Sequence, residues 1–505
     1  MTKRIIIVGG GTAGWLAANH LAVELRGEPV EIMLIESDEI GIIGVGEGTV
    51  PHIRRSLKKF GIPESELLAR CDVTFKQGIR FDGWMSGTDS SYFHPFASPF
   101  PNGYDATSCL LSQPDVRFDS VSAAAPLMES GRSPKLISSS EYEGVVDYAY
   151  HFDAKKFGEL LADNAVSRLG VKRHTATVRE VRLSHSGEIE SLVAADGKVF
   201  TADFFVDCSG FSALLLGGAL SIPFMDQSSR IQTDTVLATQ QLATPEHIPC
   251  FTLAKAHEAG WLWDIPLQSR RGVGFVYSSQ SIDRDQAVVA LANYCQVVPE
   301  DLTYRMLPMR IGYRNAFWSK NCASLGLSQG FVEPLEATSI LVTDFSAELL
   351  ARNIHFGADG MNAAAQYCNR VVRYVWERII DFVQLHYCIS DRRDTDFWRA
   401  VTAPSAMSDT LAERLSIWRS RTPLKSDFFS RFDLFDVDNY LYVLYGMKYP
   451  TNLKTSTPYE EEFLRQQLVA HQSQAGQWIS QLLAHREWLN RFNAAYAAAH
   501  AKGQY

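Results

Sequence analysis

One stretch near the start of the chain narrows the fold more than any other. An apolar run, Arg4-Ile5-Ile6-Ile7-Val8, reads as a buried strand and opens directly onto Gly9-Gly10-Gly11-Thr12-Ala13-Gly14. Ala17, Ala18, Leu21 and Leu25 then recur near helical spacing, so a helix is expected over residues 15–25. A second apolar run, Val30-Glu31-Ile32-Met33-Leu34-Ile35, ends at Glu36, twenty-two residues past Gly14. Strand, glycine turn, helix, strand and terminal acid together form the dinucleotide-binding βαβ unit. Its glycines permit a tight turn and close approach of backbone to a pyrophosphate. The helix N-terminus stabilises the negative charge, and the acid can bond ribose hydroxyls. Gly9, Gly11, Thr12, Ala13, Gly14 and Glu36 are therefore candidate cofactor residues. The fingerprint does not separate NAD from FAD.

A chain of 505 residues exceeds one simple core and predicts two or three packed modules. A net charge of −9 argues against non-specific binding to nucleic acid or anionic membranes. No apolar run reaches the roughly 20 residues needed to span a bilayer. Met1-Thr2-Lys3-Arg4 leads straight into a strand rather than a targeting segment, which predicts a cytoplasmic protein. The eight cysteines have no paired spacing and read as reduced, mostly core thiols, with no metal cluster.

Further along, residues 41–51 form a glycine-rich loop, and a helix is expected from His52. Residues 72–81 alternate like one strand. Residues 85–145 are polar and rich in Ser, Pro and Gly, an excursion over a substrate region. A helix is expected from Tyr150 to about Leu169, then short strands at 171–175, 177–183, 189–195 and 199–206. The β-rich region at about 229–317 is followed by a buried strand over 321–327. From Thr338 onward the pattern is mainly helical, with amphipathic stretches at 411–419, 460–483 and 484–501. The domain expectation is a discontinuous dinucleotide-binding body at 1–84 and 146–350, and a substrate-binding module at 85–145 and 351–505.

Three further segments carry chemistry. Phe75-Lys76-Gln77-Gly78-Ile79-Arg80-Phe81 places a lysine on the strand face shared with Thr74, with Gly78 marking a close approach by another group. Gly260-Trp261-Leu262-Trp263-Asp264-Ile265-Pro266 places two indoles on one strand face. Phe331-Val332-Glu333-Pro334-Leu335-Glu336-Ala337-Thr338-Ser339-Ile340 sets acids just before a helix start, where unpaired N–H groups can hold a small anion.

Taken together, these segments resemble the flavin-dependent halogenases, in particular the tryptophan and indole branch. The resemblance implies an α/β fold: an FAD-binding, flavoprotein monooxygenase-like body with an inserted β-rich region and a helical C-terminal substrate module. It implies FAD, used as FADH2, and a chloride or bromide ion as co-substrate. Gly44-Val45-Gly46-Glu47-Gly48-Thr49 is similar to the family's flavin-contacting loop, with Gly48 in place of the common Ala. Gly46, Gly48, Val178, Leu327 and Ile340 join the expected cofactor contacts. Gly326-Leu327-Ser328 lacks the Asp that many single-component hydroxylases carry there, which argues against an NADPH-linked hydroxylase.

By the same resemblance Lys76 is the catalytic lysine, acting on hypohalous acid either as a hydrogen-bonding ammonium or as an amine that forms a haloamine. Glu336 is the catalytic glutamate, with Glu333 its competitor. It would steady the cationic arenium intermediate and accept the ring proton. Thr338 and Ser339 match the halide-binding pair, although tryptophan halogenases usually carry Gly at the second position. Trp261, Trp263, Ile265 and Pro266 match the segment that separates flavin from substrate. His94 and Phe96, in Tyr92-Phe93-His94-Pro95-Phe96, match the aromatic sandwich for an indole ring.

The expected activity is FADH2- and O2-dependent halogenation of an electron-rich aromatic: indole, a substituted indole or tryptophan, with phenol and pyrrole open. Such an enzyme serves antibiotic biosynthesis in the family and needs a separate NAD(P)H-dependent flavin reductase. The alternatives are an aromatic hydroxylase of the same fold and a non-catalytic flavin-binding protein.

Overall fold

The computed structural model describes residues 2–39, 46–87, 90–100, 105–113, 116–243, 246–356, 360–404, 407–453 and 455–501. The expected βαβ unit forms as strand Lys3–Val8, helix Thr12–Glu24 and strand Val30–Glu36. Lys3–Val8 lies central in a six-stranded sheet, parallel to both Val30–Glu36 and Phe204–Asp207. Lys172–Thr175 and Cys322–Ser324 continue it in parallel, and Trp318–Ser319 closes one edge antiparallel. Ile5 and Ile7 face one core and Ile6 and Val8 another, as expected of a strand covered on both sides.

The β-rich region folds as a seven-stranded sheet. It runs Arg305–Pro308, Thr235–Leu242, Arg270–Tyr277, Gly260–Pro266, Thr252–His257, Gly78–Asp82 and Ser91–Pro95. Strand Ser91–Pro95 thus extends this sheet from within the 85–145 segment, which also holds helices Thr107–Leu111 and Ala124–Glu129. A three-stranded sheet of Gly46–Gly48, Ala149–Asp153 and Thr74–Lys76 lies beside it.

Four boundaries differ from the sequence pattern. Residues 72–81 are two strands in two sheets, Thr74–Lys76 and Gly78–Asp82, parted at Gln77, whose backbone N–H donates to Cys250 O. Residues 149–153 are a strand rather than a helix start, and the helix begins at Ala154. Asp153 caps it by accepting from the Lys155 and Lys156 N–H groups. The 199–206 strand is split into Val199–Phe200 and Phe204–Asp207, and the 321–327 strand shortens to Cys322–Ser324 before a tight helical turn. Loop residues 41–45 lie outside the described residues.

Helix Thr338–Asn353 packs on Thr12–Glu24. The buried Asp344 ties them together, receiving His20 Nε2 at 2.7 Å and the Ser56 hydroxyl at 2.6 Å. Beyond it the chain is mainly helical, with Met361–Cys388, Val437–Gly446, Pro458–Gln481 and His485–Ala501. Among the described residues no helix is long and apolar enough to cross a membrane. All eight cysteines are free, six of them buried.

Candidate active site

A cavity of 1370 Å³ runs from the dinucleotide turn to Lys76. Gly9, Gly11, Thr12, Ala13, Glu36, Gly46, Gly48 and Val178 line it, as do Leu327, Ser339 and Ile340. Two helices open into it with uncapped N-termini. At the first, Gly11 provides no side-chain cap and nothing lies within 4 Å of where its Cβ would stand. Gly9, at φ +118°, turns the chain, and a Cβ on Gly14 would meet Gly9 O at 1.9 Å, so helix and turn touch without side chains. Glu36 reaches toward the same turn: a Cβ on Gly10 would meet its Oε2 at 2.0 Å, while Oε1 pairs with Arg173. Open N–H groups, a side-chain-free cradle, a terminal acid and the room beyond fit an FAD.

The second uncapped helix is Thr338–Asn353. Ala337, at φ +55°, holds the left-handed conformation between Glu336 and Thr338, and no side chain caps the helix. Its neighbours Leu335, Ala337 and Ser339 line the cavity, Glu336 does not, and no side chain accepts from the first N–H groups of the helix. The Thr338 hydroxyl is buried without a partner, and Ser339 faces the cavity.

Lys76 is 1% exposed and stands at the cavity wall with its amine 5.3 Å from the Phe96 ring centre. Burial pushes it from 10.5 down to about 8, against the pull of the Glu336 carboxylate, which favours the ammonium. The amine and the acid, 260 residues apart in sequence, therefore sit within electrostatic reach of one another. His485, at the start of the last helix, accepts the Phe75 backbone N–H at 2.9 Å and so pins the strand that carries Lys76. The close approach predicted at Gly78 is the neighbouring strand: a Cβ there would meet His94 O at 2.4 Å.

Glu336 is 2% exposed, and two imidazoles converge on its Oε1: His94 Nδ1 at 3.0 Å and His386 Nε2 at 2.9 Å. Their far nitrogens are fixed. His386 Nδ1 faces the Phe382 carbonyl at 2.9 Å and must donate. Asn439 Nδ2 donates to Asp436, which leaves Asn439 Oδ1 to accept from His94 Nε2 at 3.1 Å. Both near contacts are hydrogen bonds only with a proton in each gap. Burial raises the Glu336 carboxyl, but the two imidazoles outweigh it and hold the group at about 2. Glu333 differs. Burial lifts it to about 7, opposed by hydrogen bonds from the Thr233 and Tyr387 hydroxyls, the latter at 2.6 Å.

Trp263 and Ile265 line the cavity, whereas Trp261 and Pro266 do not. The two indole centres lie 6.1 Å apart. Gly274 is paired with Trp263, and a Cβ there would stand 2.1 Å from the indole, so this glycine makes room for the ring. The Tyr442 ring centre is 5.9 Å from that of His94, and its hydroxyl donates to Ala97 O, which brings the C-terminal helices over the His94 segment. The sequence pattern missed His386, Asn439, His151 and His485. Their only signal is a polar residue amid an apolar pattern, which satisfied core histidines share. No group of His, Cys, Asp and Glu that could hold a metal occurs among the described residues.

A family model described as tryptophan halogenase matches residues 4–459. The tryptophan 6-halogenase SttH of Streptomyces toxytricini is 34% identical over 469 residues, covering 88% of this chain and 89% of that protein. The solved tryptophan halogenase of Shewanella frigidimarina superposes with a TM-score of 0.94 at 34% identity, covering 97% of this chain and 98% of that one. Xcc4156, a flavin-dependent halogenase from Xanthomonas campestris, superposes with a TM-score of 0.87 at 32% identity, covering 97% and 98% of the two chains.

Proposed function

The chain belongs to the tryptophan halogenase family, and from that premise we propose that it halogenates an indole-type aromatic, tryptophan being the first substrate to test, with Lys76 and Glu336 guiding hypohalous acid. The observation that carries this reading is the buried pair itself. A buried lysine, its amine lowered to about 8 by burial against the pull of the buried Glu336 carboxylate, lines the cavity that the dinucleotide turn opens into.

Gly9, Gly11, Thr12, Ala13, Gly14 and Glu36 would hold the adenosine and pyrophosphate, with Gly46, Gly48, Val178, Leu327 and Ile340 along the rest of the cofactor. Bound FADH2 supplies the electrons that let O2 convert a halide into hypohalous acid. The open N–H groups of Thr338 and Ser339 would hold the halide. Trp263 and Ile265 wall the cavity, and Trp261 and Pro266 stiffen the strand behind them, so that only a small oxidant passes to the substrate side. The Lys76 amine receives that oxidant, and its lowered basicity keeps both the ammonium and the free amine accessible near neutral pH. Glu336, kept ionised by His94 and His386, stabilises the cationic ring and takes its proton. Phe96 and the face of His94 bound the space for an indole.

The reading divides the chain into a flavin-binding body at 1–84 and 146–350 and a substrate-binding module at 85–145 and 351–505. A separate NAD(P)H-dependent reductase would deliver the reduced flavin, and the cytoplasm is the expected compartment.

The test is incubation with tryptophan, indole and phenols, chloride or bromide, FAD and a reductase, read by product mass. A halogen added by wild type and lost in Lys76→Ala with FAD binding retained supports the assignment. An added oxygen in its place would establish the hydroxylase alternative, and halogenation by Lys76→Ala would remove the lysine from the reaction.

A further inference from the structure

A hydrogen-bond chain beside Lys76 has a polarity set entirely by its far end. Thr74 Oγ1 lies 2.6 Å from the Pro266 carbonyl, which can only accept, so the single hydroxyl hydrogen of Thr74 is spent there. Toward His151 Nδ1, at 3.1 Å, the same oxygen can therefore only accept, and Nδ1 carries the proton. Burial, with the Lys76 charge adding to it, keeps His151 neutral well below its ordinary range. His151 Nε2 is then a bare acceptor, and Thr252 Oγ1, 2.9 Å away, must donate to it. With its hydrogen committed, Thr252 presents only lone pairs to the cavity it lines.

Lys76 borders the same part of the cavity. The Lys76 amine and Thr252 Oγ1 stand 3.3 and 3.4 Å from one point, the place a Cβ on Gly48 would occupy, with His151 Cδ2 at 3.4 Å. Glycine at that position leaves room where donor and acceptor converge. We propose that Thr252 is a positioning residue for Lys76: its oxygen, made an obligate acceptor by the Thr74–His151 chain, receives the O–H of one small molecule whose oxygen accepts from the Lys76 amine. Water fills that role in the flavin-free protein. Hypohalous acid fills it during turnover, a step that rests on the function proposed above. The O–H of hypohalous acid would then point at Thr252, leaving its halogen free to face the substrate. No bond is made or broken in this arrangement. Among the described residues the Glu336 carboxylate acts on the Lys76 amine, with the Phe96 ring as its aromatic neighbour, and Glu47, which burial lifts to about 7, lines the same cavity.

The experiment is competitive acetylation of flavin-free protein with acetic anhydride across pH 6–11, with labelling at Lys76 read by peptide mass. This reports the titration of the amine whether or not Lys76 takes part in the reaction. Thr252→Val should move the Lys76 titration to lower pH by about one unit, a tenfold change in its proton affinity. Thr252→Ser should titrate like wild type. Thr74→Val, which touches no part of the cavity, should move it in the same direction because His151 is then free to exchange tautomers. An unchanged titration in Thr252→Val, or Thr252→Ser shifting as far as Thr252→Val, would overturn the proposal. Failure of the halogenation reading would appear separately, as retained activity in Lys76→Ala.

Discussion

Replacing Lys76 by methionine should stabilise the protein while abolishing its activity. The wild-type amine falls from 10.5 to about 8 because burial disfavours the ammonium more than Glu336 favours it. The unfolded chain therefore binds that proton more tightly than the folded one. The penalty is absent above pH 10.5, grows as pH falls toward 8, and is complete below 8. At about 1.4 kcal/mol for each factor of ten in affinity, the folded state gives up about 3 kcal/mol at pH 7. Methionine matches the length of the lysine stem and carries no charge, so Lys76→Met should recover most of that amount. At pH 9.5 only about 1.4 kcal/mol of penalty remains, so the advantage should shrink by roughly half. Guanidinium denaturation of both proteins at pH 7 and pH 9.5 measures it, with halogenated product followed by mass. A variant no more stable than wild type at pH 7, or a difference independent of pH, would refute the account of Lys76 as a strained buried amine.

Glu336→Gln should show the opposite sign. The carboxyl lies at about 2 against 4.5 in the unfolded chain, so its contribution is present above pH 4.5 and lost as pH falls through 2. The variant should be destabilised by about 3 kcal/mol at pH 7, with the gap narrowing by about 2 kcal/mol at pH 3, and turnover should fall about 10²–10⁴-fold; denaturation at the two pH values and single-turnover product yield check both. Gly78→Ala, whose Cβ would lie 2.4 Å from the His94 carbonyl, should cost about 1–3 kcal/mol and lower kcat through displacement of the His94 strand, leaving FAD affinity unchanged in a fluorescence titration. Ser339→Gly keeps the backbone N–H and removes a hydroxymethyl group from the cavity wall, so it should alter the bromide-to-chloride product ratio in a competition assay.

The dinucleotide unit was readable along the chain because each of its requirements is local. A strand, three glycines and an acid at fixed spacing leave few other folds, and Lys3–Val8, Gly9–Gly14 and Glu36 form it. The helix start at Thr338 was equally local. The strand break at Gln77 and the strand at Ala149–Asp153 were not, because partners distant in sequence decided them: Cys250 O for the first, and Gly46–Gly48 with Thr74–Lys76 for the second. Residue types and their spacing supplied Lys76 and Glu336 as candidates. Their charge states were beyond its reach, since a pKa depends on what surrounds a group in space. Tertiary packing alone buried the amine, set His94 and His386 on one carboxylate oxygen, and ran Thr74, His151 and Thr252 into a chain of fixed polarity, because low dielectric and hydrogen-bond direction are properties of neighbours that meet only when the sheets and helices close.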